Sequence, residues 1–247
     1  MPSSLQSLAR RLLSQIGPLA SALPSSCALC GANGGAALCI DCEQRYCAAS
    51  GPRCRQCALP LIGAVDAGRC GACLSHPPAF DATIVACDYV APLDQLVLGL
   101  KFGAQLALAA LCARLMRDAI LQARPPSLPT LLVAVPLGEQ RLAGRGFNQA
   151  LEIARPLSRS LGIALDRQLV LRDRETLAQA LLHPDQRHDN MHGAFGLRAG
   201  ASVRGQHVGV IDDVITNGAT LDAMASMLKR HGALRVTNLV FARTLPK

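Results

Sequence analysis

The chain has 247 residues and is half hydrophobic, which is enough to bury the core of one large domain, or of a medium domain and a small one. Only 3% of the residues are aromatic and Trp is absent, so surfaces that stack single-stranded nucleic acid are not evident. The net charge of +8 favours anionic ligands such as phosphates, nucleic acid or a membrane surface, but the absence of a long Lys/Arg run argues against a dedicated nucleic-acid-binding protein.

Residues 1–24 are predicted to form an amphipathic helical lead-in, with Leu5, Leu8, Leu12 and Ile16 at helical spacing. Arg10 and Arg11 interrupt the apolar core that a secretory signal would need, and no apolar stretch reaches the ~20 residues of a membrane span. Such a helix could lie on a membrane surface or on a partner, although packing on the protein's own body is the simpler interpretation. We therefore expect a cytoplasmic protein without a transmembrane segment.

Residues 25–77 are predicted to form a cysteine-rich zinc-binding module. Eight of the eleven cysteines form four CxxC pairs: Cys27/Cys30, Cys39/Cys42, Cys54/Cys57 and Cys70/Cys73. Two such pairs supply the tetrahedral set of thiolates that Zn²⁺ prefers, so the module could hold up to two structural zinc ions. Iron–sulfur ligation is the main alternative, because four cysteines also suit it. The spacing does not determine which pairs share a metal, since sequential and interleaved pairings both fit.

The remaining residues, 78–247, alternate between strand-like and helix-like segments. Strands are predicted at 81–90, 130–136, 207–212 and 235–243, and helices at 93–103, 107–121, 148–162 and 220–232. Pro156 is expected to bend the third of these helices. Alternating strands and helices predict an α/β domain with a mainly parallel sheet. Cys87 and Cys112 fall in apolar runs of this domain and are interpreted as small core residues.

The most informative segment of this domain is VGVIDDVITNGATL, residues 208–221. An apolar strand leads to Asp212 and Asp213, and a loop of small polar residues then leads into a helix. The loop comprises Thr216, Asn217, Gly218, Ala219 and Thr220. Backbone N–H groups at a helix start can hold a phosphate, and the two carboxylates suit sugar hydroxyls or a metal ion beside it. A sugar phosphate such as ribose 5-phosphate offers both features.

This segment resembles the phosphoribosyl-diphosphate binding motif of type I phosphoribosyltransferases. The resemblance implies that Asp212 and Asp213 are the catalytic acids and hold the ribose hydroxyls, and that residues 216–220 hold the 5-phosphate. Asn217 departs from the family, which usually has Thr at that position. Its side chain can still form hydrogen bonds, so we expect a small effect.

The order of motifs along nearly the whole chain is similar to that of the ComF family, which is associated with DNA uptake in natural competence. Four CxxC pairs are followed by LVLGLKFGA, by AVPLGEQRLAGRGFNQA and by QRHDNMHGAF, and then by the acid pair; RGFNQ, residues 145–149, is the most specific local marker. The resemblance implies a type I phosphoribosyltransferase-like domain behind a double zinc ribbon, with Mg²⁺ as a second cofactor.

The same resemblance implies which other residues contact the ligand. Pro136 and Leu137 follow a strand where phosphoribosyltransferases hold the diphosphate, and Arg141 and Arg145 follow closely. These arginines could instead belong to a solvated basic loop. Lys101 could reach a phosphate or merely cap its helix. Arg187 and Asn190 fall in a polar stretch, 172–193, that resembles the flexible loop closing over the active site, although a simple connector fits it too.

Three functions remain open from the sequence. The chain could be a phosphoribosyltransferase, although no acceptor-binding segment is evident. It could bind a sugar phosphate as a sensor without chemistry. It could also be an adaptor whose zinc module and basic surface dock single-stranded DNA or a DNA-uptake helicase.

Overall fold

The computed structural model describes residues 25–47, 51–61, 68–172 and 193–245, and the predicted lead-in lies outside them. The chain divides into two units between Tyr46 and Cys47, inside the predicted cysteine module. Each unit contains one group of four cysteines. None of the helices in the described ranges combines the length and apolarity needed to cross a bilayer.

The first unit is a small zinc-ribbon fold. Strand β1 (Ser25–Ser26) pairs antiparallel with β2 (Asn33–Gly34), and helix α1 (Ile40–Tyr46) follows. The turn after β1 closes with a 2.9 Å hydrogen bond from the Gly31 N–H to the Cys27 carbonyl, and Gly31 has φ +74°, which glycine adopts without strain. This tight turn brings Cys27 and Cys30 to the same side of the chain.

The second unit contains the parallel sheet predicted from the sequence. Its five strands are β3 (Ala82–Asp88), β4 (Leu131–Ala134), β5 (Ala164–Leu165), β8 (His207–Ile215) and β9 (Arg235–Arg243), in the order β3–β9–β8–β4–β5. Every neighbouring pair is parallel. The long, almost fully buried runs of β8 and β9 occupy the centre, as expected for strands covered on both faces. A short antiparallel hairpin of β6 (Val170–Arg172) and β7 (Phe195–Leu197) lies outside this sheet.

Helices pack on both faces of the sheet. Helix α4 (Ala107–Ala123) packs against β3 and β9, and α6 (Gln149–Leu161) packs against β4, β8 and α4. Helix α7 (Ala219–Arg230) buries Met224 and Leu228 in a core shared with Val208 and Val210 of β8. Ile211 alternates to the opposite face of the same strand. The shorter helices α3 (Asp94–Phe102) and α5 (Glu139–Arg145) follow the carboxyl ends of β3 and β4.

The second group of cysteines belongs structurally to the sheet domain. Its ribbon, residues 51–61 and 68–75, ends in helix α2 (Gly71–Ser75), and Cys54, Cys57 and Cys73 lie in one hydrophobic core with Phe80 and Ile215. Arg53 forms a two-pronged ion pair with Asp88 at the end of β3, with both N···O distances 2.9 Å. The ribbon therefore packs as part of this domain rather than as an appended module.

The short strands β5, β6 and β7 were not predicted from the sequence, and two further details of the fold differ from the expectations. Strand β8 continues to Ile215 instead of ending at Asp212, because the paired neighbour β9 extends equally far. Residues 139–145 form helix α5, whereas the sequence suggested a loop. This helix buries none of its residues, so it has no apolar periodicity; its signals are Glu139 in the first turn and Gly146 at its end, with φ +81°.

Candidate functional site

The acid pair lies in the last four residues of β8, at the carboxyl edge of the sheet. Because side chains alternate along a strand, Asp212 and Asp213 point to opposite faces. Asp213 is only 7% exposed, and its Oδ2 lies 3.0 Å from Nζ of Lys101, near the end of α3. Asp212 Oδ1 accepts a 2.9 Å hydrogen bond from the backbone N–H of Asp213. The two carboxylates therefore meet different partners.

These surroundings raise the pKa of the Asp212 carboxyl. Loss of solvent around its carboxyl and the neighbouring charge of Asp213 raise the pKa of Asp212 to about 7, against the opposing effect of Lys101 and Arg172. Asp212, which is half-buried, is therefore only partly ionised at neutral pH. A ligand that donates hydroxyl hydrogens, or that brings a cation, would favour the fully ionised pair.

The loop after the acids turns into α7 in the way expected of a phosphate cradle. Gly218 takes the N-cap position of α7 with φ +84°, a conformation that favours glycine. The Asn217 side-chain oxygen accepts a hydrogen bond from the Ala219 N–H at 3.2 Å. Thr216 and Asn217 are exposed, so the loop is open to a ligand. The helix start directs its backbone N–H groups toward this opening.

A second loop, between β4 and α5, borders the same edge of the sheet. Asn148 donates from Nδ2 to the Val135 carbonyl at 2.9 Å, and its Oδ1 accepts from the Leu151 N–H at 3.3 Å, capping α6. Arg172 of the hairpin donates to the Pro136 carbonyl at 3.3 Å. These two side chains fix the backbone of the segment that carries Pro136 and Leu137.

Basic side chains converge on Asp213 from two helices. Lys101 comes from α3, and the guanidinium carbon of Arg145, at the end of α5, lies 5.5 Å from the ring centre of Phe102. Burial lowers the pKa of Arg145, while Asp213 raises it and the nearby Arg141 lowers it further. Phe102 is 74% exposed. The arrangement brings Lys101 and Arg145 near Asp213, and Arg141 near Arg145.

The eight CxxC cysteines form two sequential tetrads: Cys27, Cys30, Cys39 and Cys42, then Cys54, Cys57, Cys70 and Cys73. Within each tetrad all four sulfur atoms lie within 4.8 Å of one another. Cys30 and Cys39 sulfurs are 3.7 Å apart, and Cys57 and Cys70 sulfurs 3.6 Å. A tetrahedral Zn²⁺ with ~2.3 Å bonds has sulfurs about 3.8 Å apart, so each tetrad fits one zinc ion. A four-iron cluster would hold its cysteines farther apart, because each binds a different iron.

One cysteine thiol of each tetrad has a lowered pKa. Burial opposes ionisation of Cys27, but backbone N–H groups outweigh it and lower the pKa of its thiol to about 6. The same balance lowers the pKa of Cys54 to about 7. The Cys39 N–H lies 3.4 Å from the Cys27 sulfur, and the Cys57 N–H 3.5 Å from the Cys54 sulfur. Thiolate is the form that binds metal, so these amides favour metal binding.

Two models of known protein families match this chain, one in the cysteine-rich part and one in the sheet domain. A model of the double zinc ribbon domain matches residues 19–74, and a model of the phosphoribosyl transferase domain matches residues 148–245. The first match includes both cysteine tetrads, and the second includes the acid pair and its loop. The two ribbons are therefore zinc-ribbon sites, and the sheet domain is phosphoribosyltransferase-like.

Individual relatives cover most of the chain. The DNA utilization protein YhgH of Salmonella typhimurium is 39% identical over 195 residues, which are 78% of this chain and 84% of the relative. Competence protein F of Haemophilus influenzae is 32% identical over 199 residues, covering 79% and 85%. This chain belongs to the ComF family.

Solved structures similar to this ComF-family chain include adenine phosphoribosyltransferase from Thermoanaerobacter pseudethanolicus. It is 14% identical, with a TM-score of 0.35, and the match covers 60% of this chain and 73% of the other.

Most residues singled out from the sequence meet at one edge of the ComF-family sheet. Asp213, Lys101 and Arg145 come together, and the loop 216–220 follows the acids directly. Arg187, Asn190 and most of the stretch 172–193 lie outside the described residues. Asn148 and Arg172 were not expected to support the site. The RGFNQ marker could have indicated Asn148, and Arg172 is the first residue of the polar stretch 172–193 that resembles an active-site loop.

Proposed function

We propose that this ComF-family protein binds phosphoribosyl diphosphate, or a related ribose 5-phosphate moiety, together with Mg²⁺, and acts in the handling of DNA taken up by the cell. The observation that carries the proposal is the acid pair leading directly into a glycine-capped helix start, with Lys101 and Arg145 beside Asp213. We place this function in the cytoplasm, where zinc-binding thiols remain reduced.

Each part of the site has a distinct role in this proposal. The carboxylates of Asp212 and Asp213 accept hydrogen bonds from the ribose hydroxyls. The loop Thr216–Thr220 and the start of α7 hold the 5-phosphate. Arg141, Arg145 and the segment Pro136–Leu137 hold the diphosphate. Carboxylate and phosphate oxygens are ligands that Mg²⁺ prefers, and the ion would neutralise part of the diphosphate charge.

The ion pair between Lys101 and Asp213 would change when ligand binds. In the free protein the ammonium group lies 3.0 Å from the carboxylate and offsets its charge. A diphosphate carries more charge than one carboxylate and would compete for Lys101. Asp213 would then accept hydrogen bonds from the ribose hydroxyls. Asp213 would therefore have a hydrogen-bonding partner both with and without ligand.

If the protein is an enzyme, the reaction class is pentosyl transfer. The bond between C1 of the ribose and the diphosphate oxygen breaks, the diphosphate leaves with both electrons, and a nitrogen nucleophile forms the new bond to C1. Asp212 and Asp213 would stabilise the positive charge that develops on the ribose ring. Lys101, Arg141 and Arg145 would stabilise the leaving diphosphate.

A second candidate is a non-catalytic adaptor that docks single-stranded DNA or a helicase. The observation that favours it is Phe102, an aromatic ring that is 74% exposed and has the Arg145 guanidinium 5.5 Å from its centre. An exposed ring beside a cation suits a stacked base next to a phosphate. Two relatives are named for DNA utilization and competence, which agrees with such a role.

Calorimetric titration with phosphoribosyl diphosphate, with and without Mg²⁺, tests the first proposal. We expect Mg²⁺-dependent binding that weakens at least about 100-fold in the Asp212→Asn/Asp213→Asn double variant, since each carboxylate hydrogen bond contributes roughly 1.5–3 kcal/mol. The matched control is Asp118→Asn/Glu152→Gln, which removes two carboxylates from the surfaces of α4 and α6.

Absence of binding to a folded, zinc-loaded protein would reject the proposal. The same preparations titrated with an oligo-thymidylate, with Phe102→Ala as the variant, test the adaptor. Binding of the oligonucleotide that is lost in Phe102→Ala and kept in the double acid variant would favour the second candidate.

A further inference from the structure

Arg243, the last residue of β9, is a buried cation without a carboxylate partner in the described ranges. It is 5% exposed. Its Nη1 donates to the backbone carbonyls of Ile215, at 3.2 Å, and Thr216. Carbonyl dipoles alone do not balance a full charge removed from water. A counter-charge must therefore come from another group.

The second cysteine tetrad shares a core with Ile215, whose carbonyl accepts from Arg243. Burial lowers the pKa of Arg243, and the charges of Cys57, Cys70, Cys73 and Cys54 oppose this effect. Four thiolates around one Zn²⁺ carry a net charge of −2. Zinc would hold the four sulfur atoms of the tetrad together, so its loss would free the part of this core that the tetrad forms.

Arg243 connects this centre to the loop that follows the acid pair. The carbonyls it binds belong to Ile215, the end of β8, and to Thr216, the first residue of the loop. A planar guanidinium holds two carbonyls in a fixed geometry, which a flexible ammonium group would not do equally well. The position of the loop backbone therefore depends on the position of Arg243.

A second connection runs from the ribbon to the first turn of α7. Gln56 donates from Nε2 to the carbonyls of Pro78 (3.1 Å) and Phe80 (3.0 Å). The Ala79 N–H between them donates to Asp222 Oδ1 of α7 at 2.6 Å. A Cβ at Gly218 would lie 3.8 Å from the Phe80 ring and from Ile215. The segment Pro78–Phe80, which Gln56 of the ribbon binds, thus contacts both the loop and the first turn of α7.

We propose that the second zinc centre, Cys54/Cys57/Cys70/Cys73, orders the phosphate-binding loop through Arg243, so that zinc in this centre controls sugar-phosphate affinity while zinc in the first centre does not. The affinity part rests on the proposed function; the ordering of the loop stands without it. Arg243 is accordingly a positioning residue, acting through the backbone of residues 215–216.

The decisive comparison uses the third cysteine of each tetrad, since Cys39 and Cys70 are both half-buried. Cys39→Ser and Cys70→Ser should each retain one zinc by mass spectrometry under native conditions. Hydrogen–deuterium exchange of the peptide spanning residues 208–221 should speed up in Cys70→Ser and stay at the wild-type rate in Cys39→Ser. Phosphoribosyl diphosphate affinity should fall at least about tenfold in Cys70→Ser only.

Two substitutions of Arg243 separate charge from geometry. Arg243→Met removes the counter-ion, so the zinc affinity of the second centre should fall about 10–100-fold, as for other residues that support metal ligands, and loop exchange should speed up. Arg243→Lys keeps the charge and should retain zinc, but loop exchange should still increase because the shorter, flexible lysine side chain does not hold its nitrogen where the planar guanidinium holds Nη1. A merely structural role would not separate zinc affinity from loop exchange in this way.

Equal loop exchange in folded Cys70→Ser and Cys39→Ser would overturn the proposal, as would Arg243→Met with unchanged zinc affinity and unchanged loop exchange. If Cys70→Ser fails to fold, the Arg243 variants decide. If the wild-type protein does not bind phosphoribosyl diphosphate, the proposed function fails, but the exchange rates and zinc affinities still decide whether the centre orders the loop.

Discussion

At the residue scale, two neighbouring acids behave differently because their partners differ. Asp213 is paired with Lys101 at 3.0 Å, whereas the carboxyl of Asp212 is held away from water beside that charged pair. Its pKa is consequently raised from 3.8 to about 7. The folded protein therefore binds a proton at Asp212 that the unfolded chain has already released near neutral pH.

Replacing Asp212 by Asn should remove a pH-dependent loss of stability. A raised pKa contributes stability that is complete below the unfolded pKa, near 4, and is lost as the pH rises through 7. The free energy of unfolding of Asp212→Asn, relative to wild type, should therefore increase by about 1 kcal/mol between pH 6 and pH 8.5. Urea denaturation at both pH values measures this change.

The surface variant Asp118→Asn provides the comparison for that experiment, because it removes a carboxylate that is about one-third exposed on α4. Both variants retain the cysteine tetrads, so pH effects on zinc cancel in the difference from wild type. An equal difference between Asp212→Asn and wild type at both pH values would show that Asp212 ionises normally.

At the element scale, one side chain, that of Asn148, connects helix α6 to the segment that follows β4. Asn148 caps the first turn of α6 through Oδ1 and binds the carbonyl after β4 through Nδ2. The helix itself is anchored by Ile153 and Leu157, which are fully buried against the sheet. The loop between β4 and α5 is therefore held in place by a helix that is itself packed in the close-packed core.

Asn148→Ala should lower the free energy of unfolding by about 2 kcal/mol, roughly 1 for the lost cap and 1 for the lost bond to Val135. Asn148→Asp should recover the cap but not the bond, since a carboxylate cannot donate to a carbonyl. Chemical denaturation of both variants measures the two parts. Ser160→Ala, in the exposed last turn of α6, is the control and should lower the free energy of unfolding by less than either Asn148 variant does. A loss in Ser160→Ala equal to that in Asn148→Ala would contradict the role given to Asn148.

Elements with strong periodicity were predictable from the sequence, and those set by local caps or by distant partners were not. The boundaries of β9 agree with the prediction at both ends, and those of α3 and α4 to within two residues, because their buried residues recur at the spacing of a strand or a helix. Helix α5 has no buried face and was missed. The acid pair and its loop were recognised because their chemistry lies in consecutive residues. Arg243 binds the backbone of residues 215–216 from a position remote in sequence, which a local pattern cannot reveal.

At the scale of the whole molecule, the two zinc ribbons are unequal. The first tetrad belongs to the small unit ending at Tyr46, and its Cys30 is exposed. The second tetrad shares a core with the sheet, and only Cys70 among its members is not buried. Tandem ribbons that match a single family model thus differ in how they are integrated into the fold.

Zinc should therefore leave the protein in two steps under a strong chelator. We expect the first ion to be released while the sheet domain keeps its thermal midpoint, and the second to be released only as that midpoint falls by about 5–10 °C. Parallel colorimetric zinc release and thermal denaturation measure both steps. Cys39→Ser should lack only the early step. Simultaneous release of both ions would contradict the unequal integration of the ribbons.

The second ribbon also shields the sheet. Strand β3 is the outermost strand on its side, and its Thr83 N–H donates to the Arg55 carbonyl at 3.2 Å. A shortened chain that starts at the first strand of the sheet would leave this amide and its neighbours unpaired, and such an edge invites other chains to add strands to it. Hybrids between relatives should accordingly join upstream of Pro52, so that the second ribbon is inherited with the sheet it covers.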